Sequence, residues 1–384
     1  MKSVLFWAVV LTTLLKLAIA FSTFGTNDVV TWKRFADSID ESGGAWLYRH
    51  DQLFNHPPFM VRALSALTWL TQVTGLRFEV VLRLPGIIAD AFTLVLAAKI
   101  AKPTIPIFLL VAFSPVAILV SGFHGNTDPV MVCLVVLAIY LMDEKRSILW
   151  SGLAFGMAMN IKVVPVILLP VFVLWAGTTE RRVRFLAGAA AIFVIASSPL
   201  IFQEIRAILG NVFGYRGLIG IWGLTRIASG FDNITRHNIF LPGTEAILRF
   251  SFMPSLVLLA FLLRRYRVSL FEAVAVSMFW FLSISPGFGV HYLSWLVPFS
   301  IAMYPPAQIA FAVFGGAFLA AVYNYWSEGT WYYADSFKMH GWSGWGSVLA
   351  LFCWATVAAC TSIFLVQTMT SRERDSGTRV GIRR

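Results

Sequence analysis

Apolar residues in this chain run together in stretches too long for the core helices of a soluble domain. Val4 to Phe24 is long enough to cross a bilayer alone. Further stretches recur at Gly86 to Ala98, Thr104 to Gly122, Pro129 to Met142, Ile148 to Asn160, Val163 to Trp175 and Phe185 to Phe202. They continue at Glu245 to Leu263, Val268 to Ser283, Tyr292 to Met303, Ala307 to Tyr325 and Ser343 to Met369. Backbone polar groups in lipid must be satisfied within each segment, and these runs lack the alternation of a barrel strand. The expected fold class is therefore all-α, a polytopic membrane protein with about twelve transmembrane helices. One membrane domain over 1–371 and a basic tail over 372–384 account for the chain, of which 58% is hydrophobic and 13% charged.

The net charge of +11 is explained by topology rather than by nucleic acid. Its cations cluster between apolar runs, at Lys99 with Lys102, Lys145 with Arg146, Arg181-Arg182-Val183-Arg184 and Arg264-Arg265-Tyr266-Arg267. The positive-inside rule places these clusters and the tail in the cytoplasm. That requires Phe59 to Thr74, which carries Arg62 behind two prolines, to lie along the interface rather than cross. It also requires Ile148 to Trp175 to be split at Lys162, since a single helix there would reach about 42 Å against a core of about 30 Å. Both termini are then cytoplasmic, and 25–85, 203–244 and 326–342 lie outside, the first with juxtamembrane helices over Val29 to Ile39 and Phe59 to Thr74. Ala18-Ile19-Ala20 imitates a signal-peptide cleavage site, but an uncleaved first span is the preferred reading. Cys133, Cys353 and Cys360 lie in apolar stretches and read as packing residues.

On this topology the polar clusters fall on the outer side. Asp28 ends the first span; partial desolvation would raise its pKa and suit it to act as general base, while the alternative is an N-cap for a helix starting at Val29. The His56-Pro57-Pro58 turn fixes an extended entry into the next helix. In Gly122 to Pro129, a turn needs only glycine and a small polar residue, so His124, Asn126 and Asp128 exceed the requirement, although Asp128 before Pro129 also suits a cap. Lys162 either snorkels to the interface or holds an anionic group. Asp90, seven residues after Arg83, can pair with it along one helix face. Cations and aromatics mix at Tyr215-Arg216-Gly217, Trp222, Arg226, Arg236 and His237, which suits a phosphate and a sugar ring or a plain solvated loop. His291 heads a glycine-rich turn, where it can donate to a phosphate or cap a helix.

Taken in order from Asp28 to Pro298, these pieces resemble the GT-C superfamily of integral membrane glycosyltransferases. His56-Pro57-Pro58 is similar to its Tyr/His-Pro-Pro turn and Arg83-Leu84-Pro85 to its Arg-Leu-Pro entry. His124-Gly125-Asn126-Thr127-Asp128 resembles its HGQxD turn, with Asn126 in place of Gln, and Lys162 to Pro170 its lysine before a proline-containing span. Gly287 to Pro298 resembles its GFGxQYLxWxxP pattern, with His291 where Gln is frequent.

The resemblance implies inverting transfer of a hexose such as mannose or glucose from a polyprenyl-phosphate donor. The acceptor would be a hydroxyl of a glycan, lipid or protein on the extracytoplasmic face. Asp28 would remove the acceptor proton. Lys162, Arg216 and His291 would stabilise the leaving phosphate, and His124 and Asp128 would shape the sugar pocket. His56, Asn126, Arg236, His237 and Tyr292 complete the expected substrate-binding set. No cofactor is expected: many relatives carry two adjacent acids in the first loop, and Asn27-Asp28 here makes a metal held by an acidic pair less favoured. Two rival functions remain, a transporter or lipid-linked saccharide flippase and a non-catalytic subunit of an envelope-assembly complex.

Overall fold

A computed structural model describes residues 2–215, 217–339 and 341–380. Helix α1 (Lys2–Ser22) leads through strand β1 (Gly25–Thr26) into α2 (Asn27–Ser42), α3 (Gly44–His50) and α4 (Phe59–Thr74). After α5 (Phe78–Ala101) comes a broken rod of α6 (Ile105–Ala112), α7 (Pro115–Leu119) and one π-helical turn over Val120–His124. Helices α8 (Asp128–Asp143) and α9 (Ile148–Ile161) precede a 3-10 stretch over Val164–Leu168, α10 (Leu169–Ala176) and α11 (Thr179–Ser197). The short α12 (Leu200–Gln203), α13 (Ile205–Gly214), β2 (Leu218–Ile219) and α14 (Gly223–Thr235) lead to α15 (Phe240–Arg265) and α16 (Leu270–Ile284). Strand β3 (Gly287–Phe288) and 3-10 stretches over Val290–Leu296 and Pro298–Ala302 come before α17 (Pro305–Trp326), β4 (Tyr333–Ala334), α18 (Ser336–Met339) and α19 (Gly344–Val380).

Among the described residues, six segments are long and apolar enough to cross a membrane: Ser3–Ser22, Phe78–Ala101, Ile105–His124, Phe240–Arg265, Pro305–Trp326 and Gly344–Thr370. Four more, Ile148–Ile161, Val164–Ala176, Ile205–Gly214 and Leu270–Ile284, are apolar but shorter. The all-α membrane class holds, while about half of the expected spans are short pieces. The chain does break at Lys162, which is extended at φ −153° just after α9 ends. The stretch expected as a span at Tyr292 to Met303 is instead two 3-10 pieces meeting at Pro298, which has no N–H to continue an α-helix. The basic tail begins as a continuation of α19, and 381–384 lie outside the described residues.

Two small sheets and one arginine gather the connecting segments at one end of the bundle. Strand β1 pairs in parallel with β4, and β2 pairs antiparallel with β3. Between them Arg83, almost fully buried, donates to the carbonyls of Ala20 (3.0 Å), Thr23 (2.7 Å), Phe24 (3.2 Å) and Gly122 (3.0 Å) and to Thr23 Oγ1 (2.9 Å). A guanidinium is the one side chain with enough fixed donors to satisfy the ends of two segments at once. Asp90 does not pair with Arg83, as helix-face spacing allowed; it accepts from Lys16 of α1 at 2.6 Å, and the buried Lys16 has no other anionic partner among the described residues.

Candidate functional site

The site starts at the junction Arg83 secures. Thr26 caps α2: its Oγ1 accepts from the Asp28 backbone N–H (3.3 Å) and donates to the His124 carbonyl (2.8 Å). Asp28 is thus not the cap. Its carboxylate is left to meet His124, whose Nε2 lies 3.0 Å from Oδ2, with the Asn126 amide 3.4 Å from the same oxygen. The close approach requires Gly25 and Gly125, both at positive φ (108° and 82°), where a Cβ would lie 2.7 Å from the Phe123 carbonyl and 2.4 Å from Val29. On its other side His124 Nδ1 is 2.9 Å from the Tyr323 hydroxyl of α17.

Asp28 departs from expectation in its charge. Burial pushes its pKa up, but the hydrogen-bonded His124 beside it and Lys162 behind it more than reverse this and hold the carboxyl well below the usual range. It is a fixed, ionised carboxylate rather than a carboxyl with raised affinity for protons.

A second group lies beneath. Lys162 donates to both oxygens of Asp128, at 2.9 and 3.2 Å, and the Trp295 indole donates to Oδ2 at 2.6 Å. The Asp128 side chain is wholly buried and serves this pair, not the N-terminus of α8, which Thr127 precedes as cap residue. Lys162 neither snorkels nor stands as an uncompensated cation; it also lies over the rings of Tyr292 (4.9 Å) and Trp295 (5.2 Å). His291 Nε2 is 3.6 Å from Asp128 Oδ2, and its ring is 4.9 Å from that of His124. Burial pushes His291 down to about 3 and His56 down to about 4, so both imidazoles are neutral near pH 7.

Asp28, His56, His124, Asn126, Lys162 and His291 line one cavity of about 300 Å³ whose walls include Trp32, Trp326 and Trp342. A second chamber of about 400 Å³ shares Tyr215 and Gly217 with it and is bordered by Tyr292, Phe213, Phe252, Phe281 and Arg249. The structure thus brings together most of the residues picked out in the sequence, with Asp128 just under the floor. It does not bring in Arg236 and His237. Both are exposed past the end of α14, where Arg236 adopts φ 58° as its C-cap, so their mixture of charge and aromatics is that of a solvated helix end. Arg216 lies outside the described residues. Tyr323 and Arg249 escaped sequence reasoning, and Trp295 entered it only as part of the Gly287 to Pro298 pattern: an aromatic residue inside an apolar run reads as core, and Arg249 carries its i, i+4 partner Glu245 beside it.

Comparison with known proteins bears on the whole membrane domain. Over 136 residues the chain is 26% identical to GPI mannosyltransferase 1 of Debaryomyces hansenii, a match covering 33% of this chain and 32% of that protein. The chain therefore spans about a third of the length of the curated relative it matches. The family described as GPI transamidase subunit PIG-U matches residues 4–297, including Asp28, His124, Lys162 and His291. Both matches agree with the GT-C-like motifs read from the sequence, and the chain belongs to this PIG-U family of GT-C-like membrane proteins.

Proposed function

We propose that the chain is a membrane glycosyltransferase that moves a hexose from a polyprenyl-phosphate donor to an acceptor hydroxyl in the cavity, on the extracytoplasmic face. One observation carries the reading: Asp28 faces the cavity with Oδ2 fixed by His124 and Asn126, while no hydrogen bond among the described residues reaches Oδ1. Oδ1 would take the acceptor proton as the hydroxyl oxygen attacks the anomeric carbon and the phosphate leaves from the opposite face, inverting the centre. An ionised carboxylate in the base form is ready at neutral pH, although its low proton affinity gives a weak driving force, so orientation contributes more than basicity. The indole rings of the cavity suit the apolar face of a sugar, and the phenylalanines of the second chamber suit the start of a polyprenyl chain.

The family's description favours one other reading, a subunit that holds a glycolipid without transforming it. Membranes containing the chain, supplied with radiolabelled polyprenyl-phosphate hexoses, separate the two. Transfer that is lost in Asp28→Asn with the protein still folded supports the transferase. Absence of any transfer by the parent chain, together with retained glycolipid binding, supports the holding subunit. Undiminished transfer by Asp28→Asn removes the base assignment.

A further inference from the structure

We infer that Asp28, His124 and His291 form a site for a divalent transition-metal ion of the zinc class, with an open coordination position facing the cavity. A carboxylate oxygen of Asp28 and one ring nitrogen of each histidine lie within 4.8 Å of one another. Ligand atoms about 2.0–2.1 Å from a tetrahedral zinc are about 3.3 Å apart. Asp28 Oδ2 and His124 Nε2, at 3.0 Å, already match that spacing, and the His291 ring nitrogen lies within 4.8 Å of both other ligand atoms. Two imidazoles with one carboxylate are a ligand set for zinc, iron or manganese, whereas calcium and magnesium call for oxygen donors throughout.

Two independent observations point to a cation here. The first is the outer partner of His124. Its Nδ1 meets the Tyr323 hydroxyl at 2.9 Å, the arrangement that orients a ligating imidazole and leaves Nε2 for the ion. The second is charge. Among the described residues lining the two chambers, Lys162 is neutralised by Asp128, and Arg249 is paired with Glu245 at 2.5 Å. That leaves the Asp28 carboxylate facing the cavity with no lysine or arginine paired to it among the described residues, so an entering phosphate would meet a negative group. A divalent ion on Asp28 Oδ2 reverses that sign and offers a Lewis acid to a phosphate oxygen, while Oδ1 remains for the acceptor hydroxyl.

The inference adds to the transferase reading but is measured without any sugar, so the two can fail separately. The full-length chain, purified in detergent and stripped with a chelator, is titrated with Co²⁺, whose visible absorption reports coordination by nitrogen and oxygen, and then with Zn²⁺. Saturable binding displaced by Zn²⁺ is expected. His124→Ala and His291→Ala should each weaken it more than about tenfold, and Tyr323→Phe on the order of tenfold. His50→Ala, an exposed ring stacked on Trp46, should bind like the parent. Thermal melting of each stripped variant confirms folding, and His291→Gln replaces His291→Ala if the latter does not fold. A folded chain with no saturable Co²⁺ binding, or binding that survives loss of both histidines, overturns the proposal.

Discussion

Lys162 and Asp128 form a buried ion pair in which Nζ reaches both carboxylate oxygens, at 2.9 and 3.2 Å. The pair ties the break after α9 to the start of α8 directly beneath the cavity. Removing one partner leaves the other charge stranded, so Lys162→Met should destabilise the chain by about 3–5 kcal/mol. In Lys162→Met/Asp128→Asn no buried charge remains, and Asn can still accept from Trp295, so most of that loss should be recovered. Thermal unfolding in detergent of the parent, both single variants and the double variant measures the coupling. A double variant no more stable than Lys162→Met would show that the pair is not what holds this floor together.

Arg83 makes a different prediction, because it touches no cavity atom yet holds both segments that deliver Asp28 and His124. A lysine in its place keeps the charge but cannot reach the carbonyls of Thr23, Phe24 and Gly122 together. The resulting shift of the first loop against the π-helical turn is of the size that costs about 100-fold in rate. On the proposed transferase reading, Arg83→Lys should therefore lower the kcat by about that factor with little change in KM. A change confined to KM would place Arg83 on a substrate-binding path instead.

Which residues were legible in the sequence follows from what each signal depends on. His124, Asn126, Lys162 and His291 stood out because a turn between apolar segments has no structural need for them, and all four reach the cavity. Arg236 and His237 carried a similar local signal and are exposed elsewhere, since a solvated helix end looks the same in one dimension. The sequence suggests a raised pKa for Asp28 because burial can be read locally, whereas His124 and Lys162, which help to outweigh it, arrive from distant segments. Cap readings for Asp28 and Asp128 failed for a related reason: Thr26 stood ready as the first cap, and Asp128 found a lysine across the bundle. The 3-10 geometry of Val290–Ala302 is invisible to apolar periodicity, though Pro298 marks the joint.

His56 gives a pH dependence with a defined sign. It is buried against Trp32, its Nδ1 is 3.3 Å from the Ile161 carbonyl, and its pKa is pushed down to about 4 from 6.5. The unfolded chain thus binds the extra proton between those two values, and the contribution of His56 to stability falls as the pH is lowered from 6.5 to 4. The full shift corresponds to roughly 3 kcal/mol. Melting temperature recorded against pH should fall less steeply over that window in His56→Gln than in the parent. Parallel curves would mean that His56 does not titrate this way.

The packing of α9 against α11 carries the last prediction, because it sets where Lys162 emerges. A Cβ on Gly152 would lie 2.2 Å from the Phe185 carbonyl oxygen, one on Gly156 would lie 2.2 Å from that of Ala189, and one on Gly188 would lie 2.8 Å from that of Leu149. These are backbone atoms, which cannot rotate out of the way, so the helices must separate. The contact continues through Asn160, whose amide donates to the Gly156 and Ile192 carbonyls and whose Oδ1 accepts from Ser197 at 2.7 Å. Small residues that bring backbones together are what drives helix association where lipid removes the hydrophobic incentive. Gly156→Val should therefore cost at least about 1–3 kcal/mol, the usual range for overpacking, and on the proposed transferase reading should also lower transfer by displacing Lys162 and Asp128. Gly210→Ala on α13, where nothing lies within 4 Å of the added carbon, serves as the comparison and should leave stability unchanged or raise it by up to about 1 kcal/mol. Equal behaviour of the two variants in thermal melting would remove the α9–α11 contact as the element that positions the site.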